Sequence, residues 1–440
     1  MTAQQNKYMI PFIIVTVLFF LWGFITVLVD AFVPRLKEVF ELNNFQAGIV
    51  QFAFFTAYAV FSIPGGALIS RVGYKKGAVI GLVTMGVACL LFYPAAEFRV
   101  FGIFLLGMFV LAGGITILQV AANPYVAALG PAETASSRLN LSQALNSLGT
   151  AIAPLVSAAF ILSSSVATSE EIAAMSAAAK EAYFTAEAAA VQGPFLVLSA
   201  VIILIAVAFG MAKLPKILEG DEHNHGSYKI ALSHKHLMYG AIGIFVYVGA
   251  EVTIGSYLVN YFLTLDVVTL VKESGFMPGL AEFLAGTGID SMTPAQLAGT
   301  FVTFYWSGAM VGRFIGAYLT RVVKPNRLLA LYGLINVVLL IISMISGGLI
   351  SFWSILAIGL FNSIMFPTIF TLAIDGIKEH TAQASGILCT AIVGGAFIPP
   401  LYGAVADGIG LQYALLIPLF CYLYISWYGK VGSEMKSATA

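Results

Sequence analysis

Charge is what this sequence holds least of. Only 10% of its 440 residues are Asp, Glu, Lys or Arg, against about 25% in soluble domains, which excludes a water-soluble globular enzyme or binding module. The few charges cancel, 21 basic against 21 acidic, and that leaves no basic surface for a nucleic-acid partner. Cysteine is scarcer still. Cys89, Cys389 and Cys421 all fall inside apolar runs, so they imply no disulfide framework and read as small core residues. The five histidines lie between apolar runs. His223 with His225, or His234 with His236, have the spacing of metal ligands, but the balance favours solvated loop residues and no cofactor is expected.

What is there is apolar length. Hydrophobic residues make up 60% of the chain, and since about 20 apolar residues cross a bilayer, the sequence predicts an all-α membrane protein of twelve spans. These fall near 8–33, 47–70, 77–95, 100–129, 138–163, 194–213, 238–264, 297–320, 327–347, 350–375, 383–406 and 412–429. The first run, from Tyr8 to Val29, is longer than a signal-peptide core and lacks a small-x-small cleavage site at its end, so it is kept as a span. Lys7, Arg71, Lys75, Lys76, Arg138, Lys213, Lys216, Lys229, Lys235, Arg321, Lys324, Arg327, Lys378, Lys430 and Lys436 sort to one side. Arg35, Lys37, Arg99, Lys180 and Lys272 sort to the other, and the positive-inside rule then puts both termini in the cytoplasm.

The two halves of the chain carry matching marks. GALISRV (Gly66–Val72) reads like GAYLTRV (Gly316–Val322), and Pro124 of span four matches Pro367 of span ten at an offset of 243. Gly149 to Pro154 in span five matches Gly395 to Pro400 in span eleven at an offset of 246. Residues 1–213 and 238–440 are therefore expected to be two six-helix halves, joined by a cytoplasmic linker at 214–237. Such pseudo-symmetry is how transporters alternate access around a midplane substrate site. In the turn SRVGYKKG, Gly73 permits a tight reversal, while Arg71, Lys75 and Lys76 suit helix C-termini or carboxylates and are candidate gating residues with Arg313 and Arg321.

Polar side chains in hydrocarbon are costly and normally face a cavity or a partner. Gln119 and Asn123 are spaced i, i+4 on span four, and Gln143 and Asn146 are spaced i, i+3 on span five, so each pair shares a face. Asn140 accompanies the second pair. Amides both donate and accept, which suits a neutral, hydroxyl-rich ligand; the alternative is interhelical bonding between the spans. Pro124 removes the helix bond to residue 120 and is expected to kink span four beside its amides, as a cavity-lining helix tolerates. Glu251, Asn260, Asn362, Tyr305 and Trp306 complete the substrate-binding candidates, and Trp22, Tyr247 and Tyr257 are further aromatics able to stack on a sugar. Asp30 and Glu251 are the coupling candidates, because a buried carboxylate either takes up a proton or offers a hard oxygen to sodium. Arg313 can neutralise one of these acids, but its place just before GAYLTRV points to a cytoplasmic-end contact.

The turn SRVGYKKG resembles the signature of the major facilitator superfamily, with Ser70 where that family usually has Asp. FFLWGFITVLVDAFVPRL, ELNNFQAGIVQFAFF, ILQVAANPYVAALGPAETASSRLNLSQALNSLGT and FPTIFTLAI resemble the fucose permease and glucose/galactose transporter family within it. The resemblance implies a bacterial inner-membrane symporter that moves a monosaccharide with a proton or sodium, and Asp30 matches the acid of the permease's first span. Gln119 stands where the permease has a Glu, and Thr26 to Val29 replace an Asn-rich turn, so the chain looks more like the glucose/galactose branch. Gln carries no proton, and this weights the expectation toward sodium, with Asp30 as anionic ligand and Gln119 as a neutral one. A monomeric hexose symporter is the expectation. The alternatives are a proton-coupled fucose or N-acetylhexosamine permease, a polytopic membrane enzyme and a non-transporting sugar sensor. An enzyme would gather acids at one face, whereas the external segments 164–193 and 265–296 carry Glu170, Glu171, Glu181, Glu187 and Asp290 without a cluster. The Ala-rich stretch AAMSAAAKEAYFTAEAAA is predicted to be a short surface helix.

Overall fold

The computed structural model of the chain describes residues 3–30, 44–160, 172, 174–217 and 226–434. Within these residues it is built of helices, with no strand. Spans one to six run Ala3–Asp30, Asn44–Val72, Tyr74–Glu97, Phe101–Ala128, Ala135–Phe160 and Ala177–Met211. Span seven is Lys235–Thr264, eight Pro294–Val322 and nine Pro325–Ile345. Ten is Gly348–Asn362 continued by Met365–Ile374, eleven is Thr381–Thr390 continued by Gly394–Ile409, and twelve is Leu411–Ala414 continued by Leu416–Trp427.

Among the described residues, ten helices are both long and apolar enough to cross a membrane. Spans five and eight are the exceptions. At 26 and 29 residues they have the length, since about 20 suffice, but Asn140, Gln143 and Asn146 on one and Arg313 and Arg321 on the other dilute their hydropathy. The Ala-rich stretch is not the separate surface helix its composition suggests. From Ala177 it runs without interruption into span six as one 35-residue helix, capped by the Ser176 hydroxyl on the Ala179 amide at 3.3 Å. Alanine has the highest helix propensity and nothing in the stretch breaks it before the apolar run begins. The second external segment folds as two short helices, Val267–Glu273 and Met277–Ala285, with Lys272 paired to Asp290 at 2.9 Å.

The turn between spans two and three is as tight as its glycine allows. Gly73 takes φ +84°, a conformation open to glycine, and its amide closes span two on the Ile69 carbonyl at 2.8 Å. Arg71 sits in the last turn of span two and Arg321 in the last turn of span eight, where the helix dipole favours a cation. Lys75 and Lys76 instead open span three, and neither they nor Arg71 form an ion pair with a described residue. Ser70 turns back on its own helix, donating to the Ala67 carbonyl at 2.8 Å.

By internal packing the chain divides into two units: Met1–Ala135 with Leu145–Ser233 and Gly376–Thr390, and Ser136–Ala144 with His234–Asp375 and Ala391–Ala440. Each unit thus holds one short segment from the other half of the sequence, and hydrogen bonds explain both. In the second unit Ser136 bonds Thr371 at 2.6 Å, Ser137 donates to the Ala317 carbonyl at 2.6 Å, and Asn140 donates to the Thr368 hydroxyl at 3.4 Å. In the first, Ser385 donates to the Val120 carbonyl at 2.8 Å.

Candidate functional site

The first unit contains the amide face of span four. Thr116, Gln119 and Asn123 are all buried, on a helix without a charge. Gln119 donates from Nε2 to the Tyr58 hydroxyl of span two at 2.6 Å; Asn123, one turn on, lies beside the Cys389 thiol of span eleven. Pro124 cannot donate to the carbonyl four residues back, and that orphaned group, Val120 O, is the one the Ser385 hydroxyl takes up. Span four stays helical from Phe101 through Pro124 to Ala128, with the freed carbonyl satisfied from the side. Asn146 of span five donates to the Phe19 carbonyl of span one at 2.9 Å, which is the interhelical bond weighed against ligand binding. Gly23 makes room for it, since a Cβ there would lie 2.7 Å from the Asn146 amide nitrogen.

The second unit contains a half-buried acid. Glu251 of span seven faces Arg313 of span eight, Oε1 to Nη2 3.8 Å, with 14% and 16% of the two side chains exposed. Arg313 therefore meets the carboxylate rather than the charged helix end its sequence position suggested. Around the pair runs a chain of neutral groups. Asn336 donates to Asn362 at 2.9 Å, Asn362 to the Tyr305 hydroxyl at 2.8 Å, and Tyr305 to the Glu251 main-chain carbonyl at 3.2 Å. The Tyr247 hydroxyl faces Glu251 without completing a hydrogen bond, and Asn336 Oδ1 and Ser363 Oγ are likewise buried and unmatched. Buried polar atoms are rarely left so without water or a ligand to serve them.

Span ten breaks beside this cluster. Its two helices meet at Ser363 and Ile364, and Pro367 withholds the amide that would bond Ser363 O. Arg313 Nε donates to that carbonyl at 3.3 Å. The two prolines thus free carbonyls at 120 and 363, again 243 residues apart, and each is taken by a side chain from another span.

The remaining candidates are dispersed. Trp306 is 47% exposed while its neighbour Tyr305 is fully buried, and Asn260 is exposed. Tyr257 packs its ring on Tyr402 and Trp22 on Phe19. Gln143 is buried and lies in the segment assigned to the second unit. Asp30 is the last described residue of span one; its side chain, like Arg35, Lys37, Glu170, Glu171, the Glu187 side chain, His223, His225 and Lys436, lies outside the described residues. His236 bonds the Asp375 carbonyl at 3.0 Å and packs its ring on His234, and among the described residues no three His, Cys, Asp or Glu gather at metal-binding distance. Tyr58, Ser385 and Asn336 were missed by the sequence reading. Only Asn336 had a visible signal, a lone amide in an otherwise apolar span.

Residues 12–400 match the sequence model of the Major Facilitator Superfamily. The chain is 46% identical over 437 residues to the glucose/galactose transporter of Brucella abortus, covering 98% of this chain and 96% of that protein. It is 34% identical over 441 residues to the L-fucose-proton symporter of Escherichia coli, covering 98% and 95%. A crystal structure of the Escherichia coli fucose:proton symporter superposes with a TM-score of 0.85 at 32% identity, over 97% of this chain and 99% of that one.

Proposed function

The chain belongs to the major facilitator superfamily, a family of transporters and not of enzymes, and from that premise we propose that it is a proton-coupled hexose symporter of the glucose/galactose class. The observation that carries the reading is the uncharged amide face of span four. Gln119 and Asn123 are buried on one face of a helix without a charge, in a chain 46% identical to a protein named for glucose and galactose. A neutral sugar needs donors and acceptors in equal supply and no net charge, and an amide meets both needs. In this reading residues 1–213 and 238–440 are two six-helix halves that alternate access across a bacterial inner membrane, with both termini cytoplasmic and the protein acting as a monomer.

The coupling ion is the proton. Sequence alone leaned to sodium because Gln119 removes one acid. Glu251 supplies another, and Arg313 stands 3.8 Å from it. A metal cation needs several oxygen ligands beside the carboxylate, whereas a proton needs only the carboxylate itself. The relatives whose names state a coupling ion, the fucose symporters, state the proton. Asp30 remains the companion acid, matching the family's first-span carboxylate.

Counterflow in proteoliposomes tests substrate class. Preloading with unlabelled glucose or galactose is expected to draw in labelled glucose at least about tenfold faster than preloading with fucose or N-acetylglucosamine, since one well-matched polar contact is worth that much discrimination. Preference for fucose would replace this reading with its alternative, and no counterflow with any sugar would sink both.

A further inference from the structure

Arg313 does two things with one guanidinium. Its Nη2 faces the Glu251 carboxylate at 3.8 Å and its Nε donates to the Ser363 carbonyl at 3.3 Å. The carbonyl is available only because Pro367, four residues on, has no amide hydrogen. The second contact depends on the close approach of spans eight and ten, which a glycine stripe permits. Gly308 lies against the Leu360 backbone, and a Cβ at Gly312 would sit 2.5 Å from Ser363 Oγ. Sequence spacing put Gly308, Gly312 and Gly316 on one face, one turn apart, and the structure aims that face at the break in span ten.

We propose that Arg313 is a positioning residue that ties the charge state of Glu251 to the break in span ten, by holding the carboxylate and the proline-freed carbonyl at once. The proposal rests on the proton-coupled reading above and adds the element the proton acts on. While Glu251 is ionised, the guanidinium is divided between an anion and a dipole. When Glu251 takes a proton, the attraction between its carboxylate and Nη2 is lost, and the balance of these two contacts shifts toward the Ser363 carbonyl. The Ser363 end of its contacts then feels the change, and span ten is already interrupted there. The planar fork of arginine suits two acceptors in different directions; the single ammonium of lysine does not. Among the described residues, the other titratable groups facing Glu251 are tyrosines: Tyr247 on its own helix, Tyr305 on span eight and Tyr422 on span twelve. Spans ten and eleven present none.

The test is the pH profile of proton-driven sugar uptake by full-length protein in proteoliposomes, with wild type, Arg313→Gln, Arg313→Lys, Pro367→Ala and Gly312→Ala. Removing the cation makes proton binding at Glu251 easier, so Arg313→Gln is expected to move the midpoint toward alkaline pH by about one unit or more, and Arg313→Lys to restore most of it. Pro367→Ala changes no charge but gives Ser363 O a main-chain partner. It is expected to move the midpoint by about half a unit, the equivalent of one modest hydrogen bond. Gly312→Ala wedges span ten from span eight and reaches the same contact independently should Pro367→Ala not fold. A midpoint unmoved by every folded variant of Pro367 and Gly312, with Arg313→Gln shifted, overturns the proposal and leaves Arg313 as a mere counter-charge. A wild type with no proton response overturns the symport reading instead, which is a separate result.

Discussion

Ser385 and Pro124 should not behave as independent residues. Pro124 strips Val120 O of its helical partner, and the Ser385 hydroxyl replaces that partner at 2.8 Å with both residues fully buried. Ser385→Ala then leaves a main-chain acceptor in an apolar interior with nothing to bond. The cost is about 1–2 kcal/mol, bounded by the usual penalty for an orphaned buried polar group and by measured interhelical bonds in membranes. In Pro124→Ala the chain regains an amide hydrogen four residues from Val120 O, and the helix can satisfy the carbonyl itself. The same Ser385→Ala change should then cost no more than about 0.5 kcal/mol. The coupling, about 1 kcal/mol, is roughly a fivefold change in the unfolding equilibrium. Equilibrium unfolding in mixed detergent micelles of wild type, the two single variants and the double variant measures it. Additivity within about 0.3 kcal/mol would refute the account of how span four stays helical through its proline.

Gln119→Leu removes both the amide proposed to meet the sugar and the bond to Tyr58, and is expected to lower sugar exchange at least about tenfold, where Gln119→Asn loses less; equal activity in all three proteins would take Gln119 out of the proposed site. The linker is held by Tyr228, whose hydroxyl donates to the Ile63 carbonyl of span two and is pushed by burial up to about 12, so it stays a donor at any physiological pH. Losing that one bond in Tyr228→Phe should raise tryptic cleavage at Lys229 about fivefold, and an unchanged cleavage rate would show the linker is held elsewhere. On the first turns of the span-six helix, before the part able to cross a membrane at Gln192–Met211, hydrogen bonds from Arg99 hold the exposed Glu181 carboxyl below its usual value. A depressed acid adds stability above its unfolded pKa and loses it as pH falls through the folded one. The thermal-stability difference between wild type and Glu181→Gln should therefore be present at neutral pH and be lost on acidification below the ordinary Glu range; a difference that grows on acidification contradicts the pairing.

The fold was legible because a bilayer demands it: apolar length is written in one dimension. Gly73, with its positive φ, and the proline at 124 announced a turn and a freed carbonyl from sequence alone. What received that carbonyl was not readable, since Ser385 is 265 residues away and a lone serine in an apolar run has no periodic signature. The same limit hid the partner of Arg313. Its neighbours in sequence are a charged helix end, whereas its neighbour in space is Glu251 of span seven, more than 60 residues earlier in the chain. Asn146 shows the converse. Its spacing from Gln143 suggested a shared binding face, and the structure instead gives it a carbonyl of span one. Spacing fixes which residues share a helix face, and packing decides what that face meets. The Ala-rich stretch was misjudged for a simpler reason, that high helix propensity marks a helix but says nothing of where the helix stops.

The most direct test of the central claim is uphill uptake. Proteoliposomes holding the purified protein should accumulate labelled glucose or galactose when an inward proton gradient is imposed at zero sodium, and should lose that accumulation in Glu251→Gln. Accumulation driven by an inward sodium gradient at equal pH on both sides, with none driven by protons, would contradict the account.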